Sequence, residues 1–287
     1  MKDPILACVY GPSSYGKTVD AGYAFPNGLF ICKKGAVKSI ESVCGYTPTT
    51  LPHTTLNAAT QAIKDHGKSG QFDAIVIDEF DFLVEDTFRS YEKRYTGFKL
   101  FGELRKSVMN FRNVTRESGV HVEIIALEKY PKIRDDGTKV RGGPALTGDL
   151  PEKVPAMCDL VLRAGRDPLR RPWPGIYRLD INSADWVGKD RDNGTPDPAP
   201  MNLGEILRLN GYEISRHPSV PWQEAMVNGI TAEMLTNPEK DTETVTKWYS
   251  NLLEKKITAP IARWTVRDAW DRAVLYRSVH AKQQSFF

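Results

Sequence analysis

Long apolar runs are missing from this sequence of 287 residues. Apolar runs such as 74–77 and 124–127 are far shorter than the roughly 20 residues that a membrane-spanning helix needs. Internal repeats are also missing, which argues against a solenoid. Apolar residues make up 40% of the chain and charged residues 26%, as in ordinary globular proteins, so disorder does not describe the whole chain. We therefore expect no association with a membrane.

An excess of one charge sign is missing too. The chain has 39 Lys and Arg against 36 Asp and Glu, a net charge of +3, so bulk charge does not indicate a nucleic-acid partner. Its cysteines form no CxxC pair, which favours buried free thiols over a zinc site or a disulfide framework; they are Cys8, Cys32, Cys44 and Cys158. Asp3 and Pro4 interrupt any signal-like pattern at the start, and we expect an unprocessed, cytoplasmic protein.

A phosphate-binding motif follows the first apolar run. Residues 5–9 have the composition of a buried strand, and they lead into the pattern GxxxxGK[ST]. The predicted cofactor-binding residues are Gly11, Pro12, Ser13, Ser14, Tyr15, Gly16, Lys17 and Thr18. In such a loop the backbone N–H groups turn toward the phosphate oxygens of a nucleotide. Lys17 would neutralise the β- and γ-phosphates, and the Thr18 hydroxyl would be a ligand of Mg²⁺.

An acidic pair comes at the end of a later apolar strand, 72–77. A P-loop protein needs a carboxylate at such a position to hold the magnesium shell, and Asp78 is predicted to be that group. Glu79 is placed to orient and partly deprotonate the attacking water as a general base. The alternative is that both carboxylates only cap the helix that follows.

Alternating strands and helices predict an α/β fold. Strands are expected at 28–32, 120–127 and 158–163, with helices at 37–43, 56–66 and 82–113, the last one interrupted near Gly97. This order implies a mainly parallel sheet flanked by helices. Beyond residue 165, a hairpin is expected from 176–181 and 185–188, an irregular loop at 193–200, and helices after 203. We predict an ATPase core at 1–202 and a small helical C-terminal appendage at 203–287.

The order of the motifs resembles the RecA-like P-loop ATPases of phage recombination, the Sak-type proteins associated with single-strand annealing. The resemblance covers residues 3 to about 210 and depends on GPSSYGKT, AIVIDEF, IIALEKY, the segment from Gly142 to LPEKVPAMCDLV, and WVGKDRDNG at 186–194. It implies a RecA-like core, ATP and Mg²⁺ as cofactors, ATP hydrolysis, and a ring or filament of copies. Single-stranded DNA and single-strand-binding or recombination proteins are the implied partners.

The K-x-R-x-x-G element of this resemblance is similar to the finger that RecA-like proteins insert into a neighbouring subunit's nucleotide site. Lys189 and Arg191 are the matching residues, and their charges would stabilise the transferring phosphoryl group. Their alternative role is that of solvated charges in a turn. The chain departs from the family at Cys32, Lys33 and Lys34, where relatives often have a catalytic glutamate, and at Leu127, where a polar sensor often stands.

A basic segment after the fourth predicted strand is the first candidate for contact with DNA. Its residues are Lys129, Tyr130, Lys132, Arg134, Lys139 and Arg141. The cations would hold phosphates and the tyrosine would stack on a base, which suits single strands without sequence reading. Two further basic clusters lie at 163–171 and 255–277; the first supports the same partner, whereas the aromatic residues beside the second are expected to pack in helices rather than to stack on bases. The alternative is a charged surface loop.

Three functions remain open from the sequence. The first is a magnesium-dependent ATPase that acts on single-stranded DNA in phage recombination or replication. The second is a nucleotide-responsive assembly or binding protein with weak hydrolysis, favoured by the missing glutamate after Cys32. The third is a DNA-translocating motor, which the lack of a nuclease or N-terminal domain before Gly11 makes the least favoured.

Overall fold

The computed structural model describes residues 2–44, 46–166, 174–177, 185–195, 199–200 and 203–214. Most of the predicted C-terminal appendage and the whole basic cluster at 255–277 lie outside the described residues.

Seven helices and twelve strands lie within these described ranges. The helices are α1 Lys17–Ala24, α2 Lys38–Cys44, α3 Leu56–Gly67, α4 Phe80–Glu92, α5 Gly97–Glu117, α6 Leu150–Met157 and α7 Leu203–Leu209. The strands are β1 Leu6–Gly11, β2 Gly28–Cys32, β3 Thr49–Pro52, β4 Ala74–Ile77, β5 His121–Lys129, β6 Lys132–Ile133, β7 Lys139–Val140, β8 Gly143–Pro144, β9 Leu160–Arg166, β10 Pro174–Tyr177, β11 Lys189–Asp190 and β12 Ala199–Pro200.

One mixed sheet carries the fold. Its strand order is β12, β10, β9, β1, β5, β4, β2 and β3, with β11 added to β9 and β8 added to β5. The strands from β9 to β3 are parallel to their neighbours in this order, whereas β8, β10, β11 and β12 pair antiparallel. β5 lies between β1 and β4 and is parallel to both. The carboxyl ends of β1 and β4, where both motifs begin, therefore meet at one edge of the sheet.

Helices cover both faces of the sheet. Because side chains alternate across a strand, β1 sends Leu6, Cys8 and Tyr10 to one core and Ala7 and Val9 to the other. The first core is closed by α3, α4, α5 and α6, and the second by α1, α2 and α7. The predicted α/β class, with a mainly parallel sheet between helices, is confirmed.

Several sequence predictions need correction. The short edge strand β3 and the helix α6 were not predicted: four residues are too few for a clear alternation, and Pro151 and Pro155 mask the helical pattern of α6. The predicted hairpin is wrong in its described part, because β10 pairs with β9 and β12. The predicted loop 193–200 is wrong at its end, where β12 forms.

The first helix of the predicted appendage packs on the core. Leu203, Ile206 and Leu207 of α7 are buried in the second core, and Asp20 of α1 accepts a hydrogen bond from the Leu203 N–H. The division of the chain at residue 203 stays a prediction, since 215–287 lie outside the described residues. No helix of the described part is long and apolar enough to cross a membrane.

Candidate nucleotide site

The predicted phosphate loop connects β1 to α1 at the carboxyl edge of the sheet. Ser14 has φ 63° and Gly16 has φ 82°, so two left-handed residues curl the loop directly before the helix begins. Glycine adopts this conformation without the cost that a Cβ imposes, which explains Gly16. The curl directs backbone N–H groups and the amino end of α1 toward one cavity, an arrangement that favours bound phosphate.

Lys17 is buried in this loop. Its side chain folds back so that Nζ donates to the carbonyl oxygens of Gly11, at 2.9 Å, and Pro12, at 2.6 Å. Burial lowers the pKa of the Lys17 ammonium, and the carboxylates of Asp78 and Asp81 act in the opposite direction. When a nucleotide binds, its phosphate oxygens would replace these two carbonyl groups as hydrogen-bond acceptors of the Lys17 ammonium.

Thr18 and Asp78 meet across the cavity, although 60 positions separate them in the sequence. The Thr18 hydroxyl donates to Asp78 Oδ2 at 2.9 Å, and the Glu79 N–H donates to Asp78 Oδ1 at 3.0 Å. Burial raises the pKa of Asp78, and the Thr18 hydrogen bond offsets part of that effect. A hydroxyl and a carboxylate side by side are hard oxygen donors of the kind that Mg²⁺ prefers. The residues present fit a magnesium ion bound together with phosphates.

Glu79 has an unusual backbone. Its φ of 57° places a non-glycine residue in the left-handed region. Such a backbone conformation costs of order 1–3 kcal/mol, and residues strained in this way cluster at functional sites. His53 Nε2–H donates to the Glu79 carbonyl at 3.1 Å, and Lys33 Nζ lies 3.8 Å from Glu79 Oε2. Glu79 lines the cavity, as the general-base prediction requires, but its carboxylate faces a cation.

Two residues of the site were missed from the sequence. Asp81 lines the cavity and accepts a hydrogen bond from the Leu127 N–H at 3.3 Å, so it connects the cavity to the end of β5. Its position three residues after Asp78, in the first turn of α4, was the available signal. His53 follows the unpredicted strand β3, and nothing in the sequence marked it. Burial lowers the pKa of His53, which favours the neutral ring that donates from Nε2.

The cavity enclosed by these groups has a volume of about 550 Å³, within the usual range for small-molecule sites. Its lining combines the phosphate loop, the three acidic residues after β4, and the end of β5. Cation, hydroxyl and carboxylates therefore converge on one space that is open to solvent.

A family model described as an AAA domain matches residues 3–191, the span that holds this whole cavity. The chain belongs to the AAA domain family. No curated protein sequence matches it. Among solved structures, the crystal structure of the RadB recombinase is similar, with 16% identity, coverage of 61% of this chain and 80% of that chain, and a TM-score of 0.40. A similarity this weak carries no argument about the function of this AAA domain.

The predicted sensor position of the AAA domain is apolar. Leu127 contacts Asp81 through its backbone N–H, while the side chain of Glu128, next in the chain, is 3% exposed and accepts a hydrogen bond from Arg163 Nε at 2.9 Å. Arg163 was expected among the DNA-binding cations. In the structure its charge is paired with Glu128 and its guanidinium stacks on Trp186 at 3.7 Å, and a contact of Arg163 with DNA stays a prediction.

The basic segment of the AAA domain forms a small hairpin, β6–β7, at the carboxyl edge of the sheet. Tyr130 and Ile133 are exposed there, by 69% and 74%. The base of the hairpin rests on Trp186, whose ring lies edge-on to Tyr130 and so close to Gly142 that a Cβ would meet it at 2.6 Å. Lys139 forms an ion pair with Asp185. Trp186 therefore packs against both ends of the segment, at Tyr130 and at Gly142.

Lys189 and Arg191 lie at the opposite edge of the sheet. Lys189 Nζ donates to the carbonyl oxygens of Ala156 and Cys158, at the end of α6, and Arg191 Nη1 lies 2.6 Å from Asp159 Oδ1. Neither residue reaches the cavity of its own subunit, since β11 pairs with the first residues of β9. A catalytic role for them stays a prediction about a neighbouring subunit.

Proposed function

We propose that this AAA domain is a magnesium-dependent ATPase that acts on single-stranded DNA in recombination as a ring or filament, and that it is a Sak-type protein of phage origin working in the host cytoplasm. The observation that carries the ATPase is the Thr18–Asp78 hydrogen bond beside Lys17, inside a cavity that Glu79 also lines. Single-strand-binding or recombination proteins are its proposed partners.

The roles of the residues follow from their positions. Lys17 binds the β- and γ-phosphates, and the phosphate loop orients them. Thr18 and Asp78 would hold a magnesium ion, which would supply charge neutralisation for the transferring phosphoryl group. Glu79 accepts a proton from the attacking water once Lys33 releases its carboxylate. His53 and Asp81 act on the backbone of Glu79 and on β5, so they position groups without reacting themselves.

The β6–β7 hairpin is the proposed contact with DNA. Changing both Lys132 and Arg134 to alanine should weaken binding of a labelled oligo-dT strand, since each exposed cation releases counterions from the strand. The magnitude of the slope of log affinity against log salt should decrease by about 1.4, because each of the two lost cations contributes about 0.7 on a single strand. Fluorescence anisotropy over a salt series measures both quantities.

The matched control replaces Lys64 and Lys68, two exposed cations on and after α3, with alanine. That variant should bind oligo-dT as the wild type does. An unchanged slope in the hairpin variant, or an equal change in the control, contradicts the assignment of the hairpin.

Arg191 is proposed to act in the neighbouring subunit's site. Arg191→Ala should slow turnover at least about tenfold in the assembled protein while nucleotide affinity is kept, because the charge stabilises only the transition state. Mixing this variant with Lys17→Ala subunits should restore part of the activity, since an intact site then receives an intact finger. Turnover assays of each protein alone and of the mixture measure this.

Asp159→Asn is the matched control for Arg191. It removes the same ion pair but leaves the guanidinium available, so a purely structural Arg191 predicts equal losses from both variants. Absence of recovery in the mixture would reject the trans role.

Two observations favour a second function, the nucleotide-responsive assembly protein with weak hydrolysis. Lys33 holds the proposed base at 3.8 Å, and Leu127 leaves the end of β5 without a polar side chain facing the cavity. Turnover measured with and without single-stranded DNA separates the two functions: stimulation supports the ATPase, and negligible turnover with tight binding supports the assembly protein.

A further inference from the structure

A second concave surface lies between α5 and α6, on the first-core face of the sheet. It has a volume of about 360 Å³ and shares no lining residue with the nucleotide cavity. We call it the α5–α6 groove; its lining residues are Arg105, Val108, Met109, Arg112, Lys153 and Met157, with Leu150 and Ala156 at the α6 side. The α5 residues recur at helical spacing, so one stripe of α5 forms one wall.

The floor of the groove is apolar and adaptable. Met109 is 36% exposed and Met157 is half-buried, and both line the groove together with the buried Val108 and Leu150. Methionine can repack around different partners, which suits a surface that accepts a side chain from another molecule. An apolar surface with a polar rim is typical of a site for contact with another molecule.

The rim of the groove is positive. Neither Arg105 nor Arg112 forms an ion pair with any residue that the structure describes, and Arg112 Nη1 donates a 3.4 Å hydrogen bond to Asn113 Oδ1. Lys153, on the α6 side, is paired with Asp149. The guanidinium groups of Arg105 and Arg112 thus lie beside the apolar floor, and no carboxylate of the described residues is paired with either of them.

We propose that the α5–α6 groove binds an acidic amphipathic segment of a partner protein. Carboxylates of that segment would pair with Arg105 and Arg112, and its apolar side chains would cover Met109 and Met157. Nucleic acid fits less well: no aromatic residue lines the groove in the described chain to stack on a base, and a phosphate backbone would leave the methionines uncovered.

The test uses the full chain without nucleotide, so its outcome does not depend on ATPase activity. The probe is a short fluorescein-labelled peptide with Leu at helical spacing and Glu at the remaining positions, and anisotropy reports its binding. The wild type should bind it, more weakly as salt rises. Arg112→Glu should weaken it at least about tenfold, because it replaces attraction by like-charge repulsion; Met109→Glu should do the same.

The matched control is Lys106→Glu, an equal charge change on the same helix at a cation paired with Glu103 outside the groove. It should keep wild-type affinity for the peptide. Thermal melting checks that each variant folds, and Arg105→Glu, at an exposed position, replaces Arg112→Glu if that one does not.

Three results would overturn the proposal. They are failure of the wild type to bind the acidic peptide, equal losses in the Lys106 and Arg112 variants, or equal binding of a peptide with Lys in place of Glu. Loss of oligo-dT binding in the Arg112 variant with peptide binding unchanged would assign the groove to nucleic acid instead.

Discussion

Replacing Lys17 with alanine is expected to reduce ATP turnover to background. Lys17 is 8% exposed, and its ammonium is held by two carbonyl oxygens in a cavity that also contains Asp78. Without it, the charge of the β- and γ-phosphates would enter a partly desolvated site that holds carboxylates, and the magnesium ion alone would have to balance that charge. A phosphate-release assay measures turnover, and calorimetry with MgATP should give an affinity at least about tenfold lower.

The melting temperature separates a lost site from a lost fold. Wild-type protein at saturating MgATP should gain stability, by about 2.7 kcal/mol at a hundredfold excess over Kd. The Lys17→Ala variant should melt near the wild type without nucleotide and gain little when MgATP is added. Lys64→Ala, an exposed cation on α3, is the control and should behave as the wild type. Undiminished turnover in the Lys17 variant would reject the phosphate loop as the active site.

The phosphate loop, Asp78 and Glu79 could be predicted because their signals are local. GPSSYGKT is one contiguous stretch, and its preceding strand is a short apolar run; the same holds for AIVI followed by Asp78. Parallel strands place their carboxyl ends at one edge, so the meeting of Thr18 with Asp78 follows from two local patterns and one rule of topology. The 2.9 Å hydrogen bond between Thr18 and Asp78 agrees with this arrangement of the strands.

Other parts of the site depend on partners that are far apart in sequence. In the sequence Arg163 is one more cation of a basic cluster, and only the structure shows that it is paired with Glu128 and stacked on Trp186. His53 reaches the Glu79 carbonyl from β3, an edge strand too short to recognise. The sequence predicts that Lys189 either enters a neighbouring subunit's nucleotide site or is a solvated charge. In the structure its Nζ donates to carbonyl groups at the end of α6. The surroundings of each of these side chains are set by burial and by contacts with residues distant in sequence, and the spacing of residue types along the chain does not reveal them.

Glu79→Gln should separate binding from chemistry. Glutamine keeps the size of the side chain and the same backbone demands at φ 57°, but it cannot accept a proton from water. Loss of a general base typically lowers kcat by about 10²–10⁴, while Lys17, Thr18 and Asp78 remain to hold MgATP. We therefore expect calorimetric affinity for MgATP close to that of the wild type and single-turnover rates reduced by about that factor.

Lys33 and Glu85 supply the controls for this variant. Lys33→Ala frees the Glu79 carboxylate from the cation 3.8 Å away, so its turnover should equal or exceed that of the wild type. Glu85→Gln changes a carboxylate on α4 that pairs with Arg89 on the exposed side of the helix, and it should leave turnover unchanged. If Glu79→Gln hydrolyses ATP at the wild-type rate, Glu79 is not the base. If the wild type and Lys33→Ala both bind MgATP without turning it over, with or without oligo-dT, the cavity belongs to a nucleotide-controlled assembly protein, and the strained acidic turn after β4 serves to sense the nucleotide.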